Sequence, residues 1–370
     1  MDIRSLDKKI CIKLGLGIVL FIIGLLYFNK SYEGFGNYKG CSYFPKSVKY
    51  ALDKRKMKKV DDNSWDYYLP CGYTKCESNI RAFKNEKTGK KIFMIDGCDW
   101  IASKIGLWTL IKKEFGSYAH YIMPETFDLT SNEDKNYFKE FYKKKKLENK
   151  GCKFILKNHK QRQEGLRLAN DLSKIFNSVD DGFRLVQDFL ENPYTISGRK
   201  LNLRYYLLVT CHKGKIKAWI YRDGFVYYTP KLFKKNSMNF KRTITTGYID
   251  RKIYKKNPLT LNDFRKHLGV NKATEFDEEV KLKMKSTMMA LSKQICSNVK
   301  LQHHFKFQIF GADIAPDENL KCTLMEINKG PDIDFKDERD GNIKKNMMKD
   351  VFTLIDPIGD DTTHEFERIF

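Results

Sequence analysis

Proline is scarce, at nine of 370 residues, and internal repeats and low-complexity tracts are missing, which excludes a proline-rich stalk and a repeat array. Acidic residues are short as well: 46 Asp+Glu against 69 Lys+Arg leaves a formal net charge of +23. Such a field attracts anions, whether nucleotide, nucleic acid, acidic protein tails or an anionic membrane, although the lysines are spread along the chain as on a solvated surface. No RNA-recognition, helix-turn-helix or zinc-finger pattern is present, so nucleic acid is not an expected partner. What is there excludes disorder. Hydrophobic residues make up 41% and aromatics 14%, enough for a sizeable core divided among two or three lobes.

Charge is absent from residues 14–28, and Ile10, Cys11 and Ile12 extend that apolar stretch beyond Lys13. The run is at the short end of a membrane span, for which about 20 residues are usual. No small-residue cleavage site follows, since Tyr27, Phe28, Asn29 and Lys30 are bulky or polar. The expectation is an uncleaved signal-anchor: a single-pass transmembrane helix, with the membrane as partner and location. Arg4, Lys8, Lys9 and Lys13 before the run and Lys30, Lys39 and Lys46 after it leave the membrane face of the remainder undecided.

Cys41, Cys71, Cys76 and Cys98 cluster after the apolar run. In an oxidising compartment they would form two disulfides, with three connectivities open; in the cytosol they would be reduced. Their spacing lacks the tight pairs and histidines of a zinc site. Cys152, Cys211, Cys296 and Cys322 sit in apolar surroundings and read as core.

Periodicity outlines an α+β protein with helices against antiparallel sheets. A strand is expected at 91–95, helices at 100–115 and 131–147, and short apolar strands at 154–157 and 183–190. Lys143 to Lys146 read as a frayed, solvated helix end. Strands at 201–211 and 215–221 are joined by His212-Lys213-Gly214, a hairpin signal. Residues 275–298 form the clearest helix, with Phe276, Val280, Met284, Met288, Leu291 and Ile295 on one core face. A second hairpin joins 305–315 to 320–327, and an amphipathic stretch at 344–355 docks on the C-terminal lobe. The expected organisation is 1–31, a cytosolic tip and transmembrane anchor; 32–100, a small domain; 101–190 and 191–335, two lobes; and 336–370, a C-terminal tail helix.

The last hairpin carries the strongest chemical signal. Asp313 follows Phe310-Gly311-Ala312, and Glu326 and Asn328 lie two apart on the return strand, so they share a face while Met325 and Ile327 turn away to be buried. Two carboxylates and an amide oxygen suit Mg²⁺, with water and phosphate completing the shell. A tight two-residue turn would set Asp313 opposite Cys322, so the loop must be wide or bulged. Basic residues supply a phosphate cradle. Lys157 closes a strand, Lys104 opens a helix whose N-terminal amides favour anions, and Lys200, Asn202 and Arg204 alternate on one strand face, with Arg222 ending the next strand.

These pieces resemble the tubulin tyrosine ligase-like family, a branch of the ATP-grasp ligases, over residues 104–331. Val186-Gln187-Asp188-Phe189-Leu190 followed by Gly198-Arg199-Lys200-Leu201-Asn202-Leu203-Arg204 is similar to the family's hinge and GRK-x-D-x-R segment. Trp219-Ile220-Tyr221-Arg222-Asp223-Gly224 resembles its YxYREG strand, and the Asp313 and Glu326–Asn328 strands resemble its FGxD…LxExN. The resemblance implies an ATP-grasp fold, two α+β lobes clasping ATP, and an ATP- and Mg²⁺-dependent carboxylate–amine ligase working through an acyl phosphate. It implies that Lys104 and Lys157 contact phosphates. Gln187 and the backbone near Phe189 and Leu190 would hold adenine, with Lys200 and Asn202 lining the nucleotide pocket. Asp313, Glu326 and Asn328 would hold metal, with Glu326 also catalytic. Arg204 and Arg222 would neutralise the acyl phosphate or the acceptor carboxylate. Implied partners are an amino acid and an acidic protein or small carboxylate acceptor. The chain departs from the pattern at Asn202, where the family has aspartate, at Ile244-Thr245-Thr246-Gly247, and in a glycine-poor 158–165 loop. An ATP-binding phosphotransferase or a nucleotide-binding module on the same fold is the alternative.

Overall fold

The computed structural model describes residues 36–148, 151–158, 165–247 and 249–370. In chain order come β1 (Asn37–Gly40), α1 (Lys46–Lys54), β2 (Lys58–Lys59), β3 (Tyr67–Leu69), α2 (Cys76–Arg81) and β4 (Lys91–Ile92). Next are α3 (Cys98–Ala102), α4 (Lys104–Phe115), β5 (Thr126–Asp128), α5 (Asn132–Leu147), β6 (Phe154–Lys157), β7 (Leu166–Ala169), α6 (Leu172–Asn177) and β8 (Leu185–Asp188). Then follow β9 (Thr195–Ile196), β10 (Arg199–His212), β11 (Lys215–Tyr221), β12 (Phe225–Tyr228), α7 (Phe240–Thr243), α8 (Leu261–Leu268) and α9 (Val270–Leu291). β13 (Phe305–Pro316), β14 (Cys322–Asn328), α10 (Glu338–Ile355) and β15 (Phe366–Arg368) complete the chain.

Among the described residues the strands form two sheets. The smaller runs β5-β8-β6-β7 and is antiparallel throughout. The larger runs β15-β11-β10-β13-β4-β3-β1-β2, with β9 and β12 also on β10 and β14 on β13. It is mixed rather than antiparallel, because β1–β2, β1–β3, β3–β4 and β4–β13 pair parallel. Their short strands are joined through α1 and α2, and a crossover returns the chain in the same direction.

Local signals explain most elements. Ser103 ends α3 and caps α4, accepting from Gly106 N at 3.0 Å, so the expected 100–115 helix breaks into two and Ile105 turns to the surface. Ser131 caps α5. Lys213 and Gly214 both adopt left-handed φ, at 49° and 71°, as a two-residue hairpin between twisted strands requires. The apolar stripe of α9 is buried and joins the main core beside β10 and β13. α10 buries Met347, Met348, Val351 and Phe352 in a second core with Val48 and Leu52 of α1, while β15 adds to β11. A third core, between the small sheet and α5 and α6, is centred on Phe138 and Phe154.

Several expectations are corrected. No helix among the described residues is long and apolar enough to cross a membrane, which overturns the single-pass anchor and the membrane as partner and location. The uncharged run at 14–28 lies outside the described residues. Cys41 and Cys71 are joined, whereas Cys76 and Cys98 are buried thiols. Cys211, read as plain core, is bonded to Cys296. Lys145 is not part of a frayed end: it is buried and ion-paired with Asp188 beneath the rings of Phe141 and Phe154.

Phe138 touches the rings of Phe127, Tyr142, Phe154 and Phe176 with no exposure. Phe138→Ala should therefore cost about 3–5 kcal/mol in denaturant unfolding of the small-sheet lobe, and a loss below about 1 kcal/mol would contradict this packing.

Candidate functional site

The site is built on the β13–β14 hairpin. Pro316 pairs with Cys322, Ala315 with Thr323 and Ile314 with Leu324, but Asp313 pairs with Glu326, so the register slips by one residue at Met325. The five-residue loop 317–321 and this bulge together bring Asp313 opposite Glu326, and Gly311 opposite Asn328. Met325 and Ile327, both expected behind the sheet, border the narrow cavity, Ile327 buried and Met325 half-buried. Asn328 Nδ2 lies 3.5 Å from Asp313 Oδ2 and 3.3 Å from Glu326 Oε1, so the expected trio converges.

Arg204, directly across from Asp313 on β10, donates from Nε to Asp313 Oδ1 at 2.6 Å and from Nη2 to Oδ2 at 3.1 Å. Its guanidinium lies 5.3 Å from the Tyr227 ring centroid. Gly311 makes room for it, since a Cβ there would come within 3.1 Å of Arg204 Cδ and 3.0 Å of Pro331. Arg222 is exposed just past β11 and takes part in none of these contacts.

The small sheet and α4 form the facing wall. Lys104 is the first residue of α4 and donates to Asn158 O at 3.3 Å. Lys157 ends β6, and Gln187 lies in β8. Ser103, Lys104, Lys157, Gln187, Met325 and Glu326 line a narrow cavity of about 10 Å³. Burial pushes the Glu326 carboxyl up, but Lys157 and Lys104, with the Asn328 amide, hold it below its ordinary value. Burial raises Asp313, although Arg204 opposes the shift. Burial brings Lys157 down to about 8 despite the Glu326 charge, and lowers Lys104.

One step along the same face the cleft turns apolar. Ile155, Phe189 and Ile244 cluster with Leu166, Leu168, Phe233 and Phe240. Lys200 Nζ sits 4.2 Å and Lys153 Nζ 4.5 Å from the Phe189 ring centroid, within cation–π range. Burial, then the charge of Lys153, brings Lys200 down to about 7 against the pull of Glu191. The Phe189 N–H is already bonded to Lys153 O, and Leu190 is half-buried beside it. Gln187 Oε1 and Asn202 Oδ1 are buried without a hydrogen-bond partner among the described residues. An acceptor left bare in this way costs free energy unless a ligand satisfies it.

The donor set fits a hard cation. Among the described residues no three His, Cys, Asp or Glu side chains gather around a metal position, but two carboxylates and an amide are what Mg²⁺ takes when phosphate supplies further oxygens. Residues 159–164 of the loop after Lys157 lie outside the described residues. Lys153, Tyr227 and Met325 escaped sequence reasoning. The first precedes its strand without periodicity, and the others reach the cleft only through register.

Comparisons with known proteins agree on one family. The model described as "Tubulin-tyrosine ligase family" matches residues 83–365. "Probable tubulin polyglutamylase TTLL9" of Bos taurus is 29% identical over 178 residues, covering 46% of this chain and 38% of that protein. "Probable alpha-tubulin polyglutamylase Ttll1" of Tetrahymena thermophila is 26% identical over 272 residues, 66% of this chain and 63% of its own length. "Tubulin monoglutamylase TTLL4" of Mus musculus is 27% identical over 190 residues, covering 46% and 16% respectively. The chain thus spans less than two thirds of these relatives.

The buried lysines set a pH dependence. Unfolded, Lys157 and Lys200 titrate near their ordinary value of about 10.4, so between about 7 and 10 the unfolded chain binds more protons and stability rises with pH. Urea unfolding of the ligand-free protein should show this rise, and Lys200→Met should flatten it. An unchanged slope in Lys200→Met would contradict the burial of a charged amine at that position.

Proposed function

The chain belongs to the tubulin-tyrosine ligase family, and from that premise we propose that it is an ATP- and Mg²⁺-dependent ligase joining an amino acid to a carboxylate of an acidic protein. The observation that carries this reading is the convergence of Asp313, Glu326 and Asn328 on the hairpin, faced by Lys104 and Lys157 across the cleft. Two carboxylates held among four nearby cationic or amide groups make a site for a cation and a polyphosphate together.

In this proposal Asp313, Glu326 and Asn328 are the residues that would hold Mg²⁺. Bound there, the metal would supply Lewis-acid neutralisation of polyphosphate charge. Lys104 and Lys157 grip the phosphates, and both are near enough to Glu326 to be held in place by its charge. Gln187 and the backbone near Phe189 and Leu190 take adenine, beside the apolar cluster. Lys200 and Asn202 line the nucleotide pocket. The acceptor carboxylate attacks the γ-phosphorus and ADP leaves. The amine of the incoming amino acid then displaces phosphate from the acyl phosphate and loses a proton as the amide forms. The residues position the reactants and keep water from the acyl phosphate. Arg204, anchored on Asp313, contributes positive charge beside the transferred phosphoryl group. Arg222 is outside the contacts described, so its implied role rests on the resemblance alone.

The relatives, two named as probable tubulin polyglutamylases and one as a tubulin monoglutamylase, support glutamate as the donor and an acidic tubulin segment as the acceptor. The net charge of +23 complements such an acceptor.

With ATP, Mg²⁺, glutamate and tubulin, the chain should release ADP and phosphate and add the mass of glutamyl residues to tubulin. Glu326→Gln should lower that rate by at least about 100-fold, the scale of losing one electrostatic group from such a site. A phosphorylated product without a new amide would replace this reading with the phosphotransferase one, and normal turnover by Glu326→Gln would end it.

A further inference from the structure

Lys104 and Lys157 are committed to phosphate, and the amide-forming step makes one further demand. As the amine adds to the acyl phosphate, the carbonyl oxygen gains negative charge and needs hydrogen-bond donors. Arg204 has one to give: its Nε and Nη2 are both bonded to Asp313, and Nη1 has no acceptor among the described residues. A second uncommitted donor lies beside it. Tyr227 sits opposite Asn202 in the β10–β12 ladder and Phe225 sits opposite Arg204, so Arg204 and Tyr227 are diagonal neighbours on one face. The guanidinium lies 5.3 Å from the Tyr227 ring centroid. Tyr227 is half-buried, and its O–H makes no hydrogen bond among the described residues.

The hydroxyl-bearing end of that ring abuts bare backbone. A Cβ on Gly247 would lie 3.3 Å from Tyr227 Cε1 and 3.5 Å from Cζ, so a side chain there would meet the ring. The Gly247 segment is tied to the same strand, with Thr246 N donating to Tyr228 O at 3.1 Å. Gly247 also ends the stretch Ile244-Thr245-Thr246-Gly247, where the chain departs from the family pattern. The phenol occupies the neighbourhood that a side chain at 247 would enter, so the strand supplies a polar group that the segment lacks. Burial, against the opposing Arg204 charge, pushes the Tyr227 phenol up to about 12, so it keeps its proton near neutral pH.

We propose that Tyr227 is a catalytic residue of the amide-forming step: its O–H, beside Arg204 Nη1, donates to the carbonyl oxygen of the acyl phosphate as that oxygen becomes an oxyanion. This rests on the proposed ligase activity and adds a donor to it. The amine lone pair forms the C–N bond while the C=O π pair moves onto oxygen. That pair then returns as the C–O bond to phosphate breaks. Phosphate leaves with the bonding electrons and takes up the proton lost by the nitrogen. The Tyr227 proton is shared and never transferred, so the phenol contributes a hydrogen bond that strengthens only as charge develops.

Single-turnover assays of the whole chain with Mg²⁺, ATP, glutamate and tubulin test the proposal. Tyr227→Phe keeps the ring over Arg204 and removes only the O–H. By calorimetry it should bind ATP with Mg²⁺ as the wild type does, and its first turnover should form ADP at the wild-type rate. Addition of the glutamyl mass should slow by about 100-fold, the scale of losing one oxyanion donor. Quenching into hydroxylamine, which converts an acyl phosphate to a hydroxamate, should recover the intermediate that the variant accumulates. ADP formation and glutamyl addition slowing together overturns the role, because a merely structural contribution would do that. Glutamyl addition at the wild-type rate overturns it too, as does loss of nucleotide binding, since the O–H would then be holding the site together. If the wild type itself forms neither ADP nor glutamylated tubulin, the proposed ligase activity fails instead.

Discussion

Two carboxylates are brought together in a largely buried place, and the rest of the site answers that constraint. Asp313 and Glu326 face each other across a hairpin, where like charges repel and burial penalises both. The chain meets this with a bidentate arginine on one side and, on the other, Lys157 from the small sheet and Lys104 from α4. The lysines are themselves buried at a cost, so each wall of the cleft is unfavourable without the other. That mutual dependence ties the small sheet and α4 to the large sheet electrostatically, across a cleft that hydrophobic contact alone does not close.

The cleft is divided along its length by strand parity. On β6, Ile155 and Lys157 face it, as do Gln187 of β8 and Phe189 just past its end. The alternation gives one end lined by Ile155, Phe189 and Ile244 and another lined by charge. A ligand with a flat apolar part and a polyanionic tail matches this division. Lys200 marks the boundary: it lies over Phe189 yet keeps an ammonium whose proton is loosened by burial.

Much of this was legible in the sequence, for identifiable reasons. The alternation of Lys200, Asn202 and Arg204, and of Glu326 and Asn328, survives because strand geometry fixes which side chains share a face. The need for a bulge or a wide loop could be argued from Asp313 and Cys322, and both are present. Which residue bulges could not be read from the sequence, because the register slip at Met325 depends on pairing with the neighbouring strand. Lys145 and Cys211 were misjudged for the opposite reason, since their partners Asp188 and Cys296 are distant in sequence and no local pattern announces them. The parallel strands β1 to β3 were missed because they are too short to show periodicity, whereas β4 falls inside the strand expected at 91–95. The expected anchor at 14–28 lies outside the described residues, and no helix among those described is long and apolar enough to cross a membrane.

The central claim is that the β13–β14 carboxylates and the opposing lysines jointly hold a magnesium–nucleotide complex. The most direct measurement is a crystal structure with Mg²⁺ and a non-hydrolysable ATP analogue. The account predicts metal density at about 2.1 Å from oxygens of Asp313, Glu326 and Asn328, with phosphate oxygens in contact with Lys104 and Lys157. Nucleotide bound away from the hairpin, or a metal held by phosphate and water without either carboxylate, would contradict it.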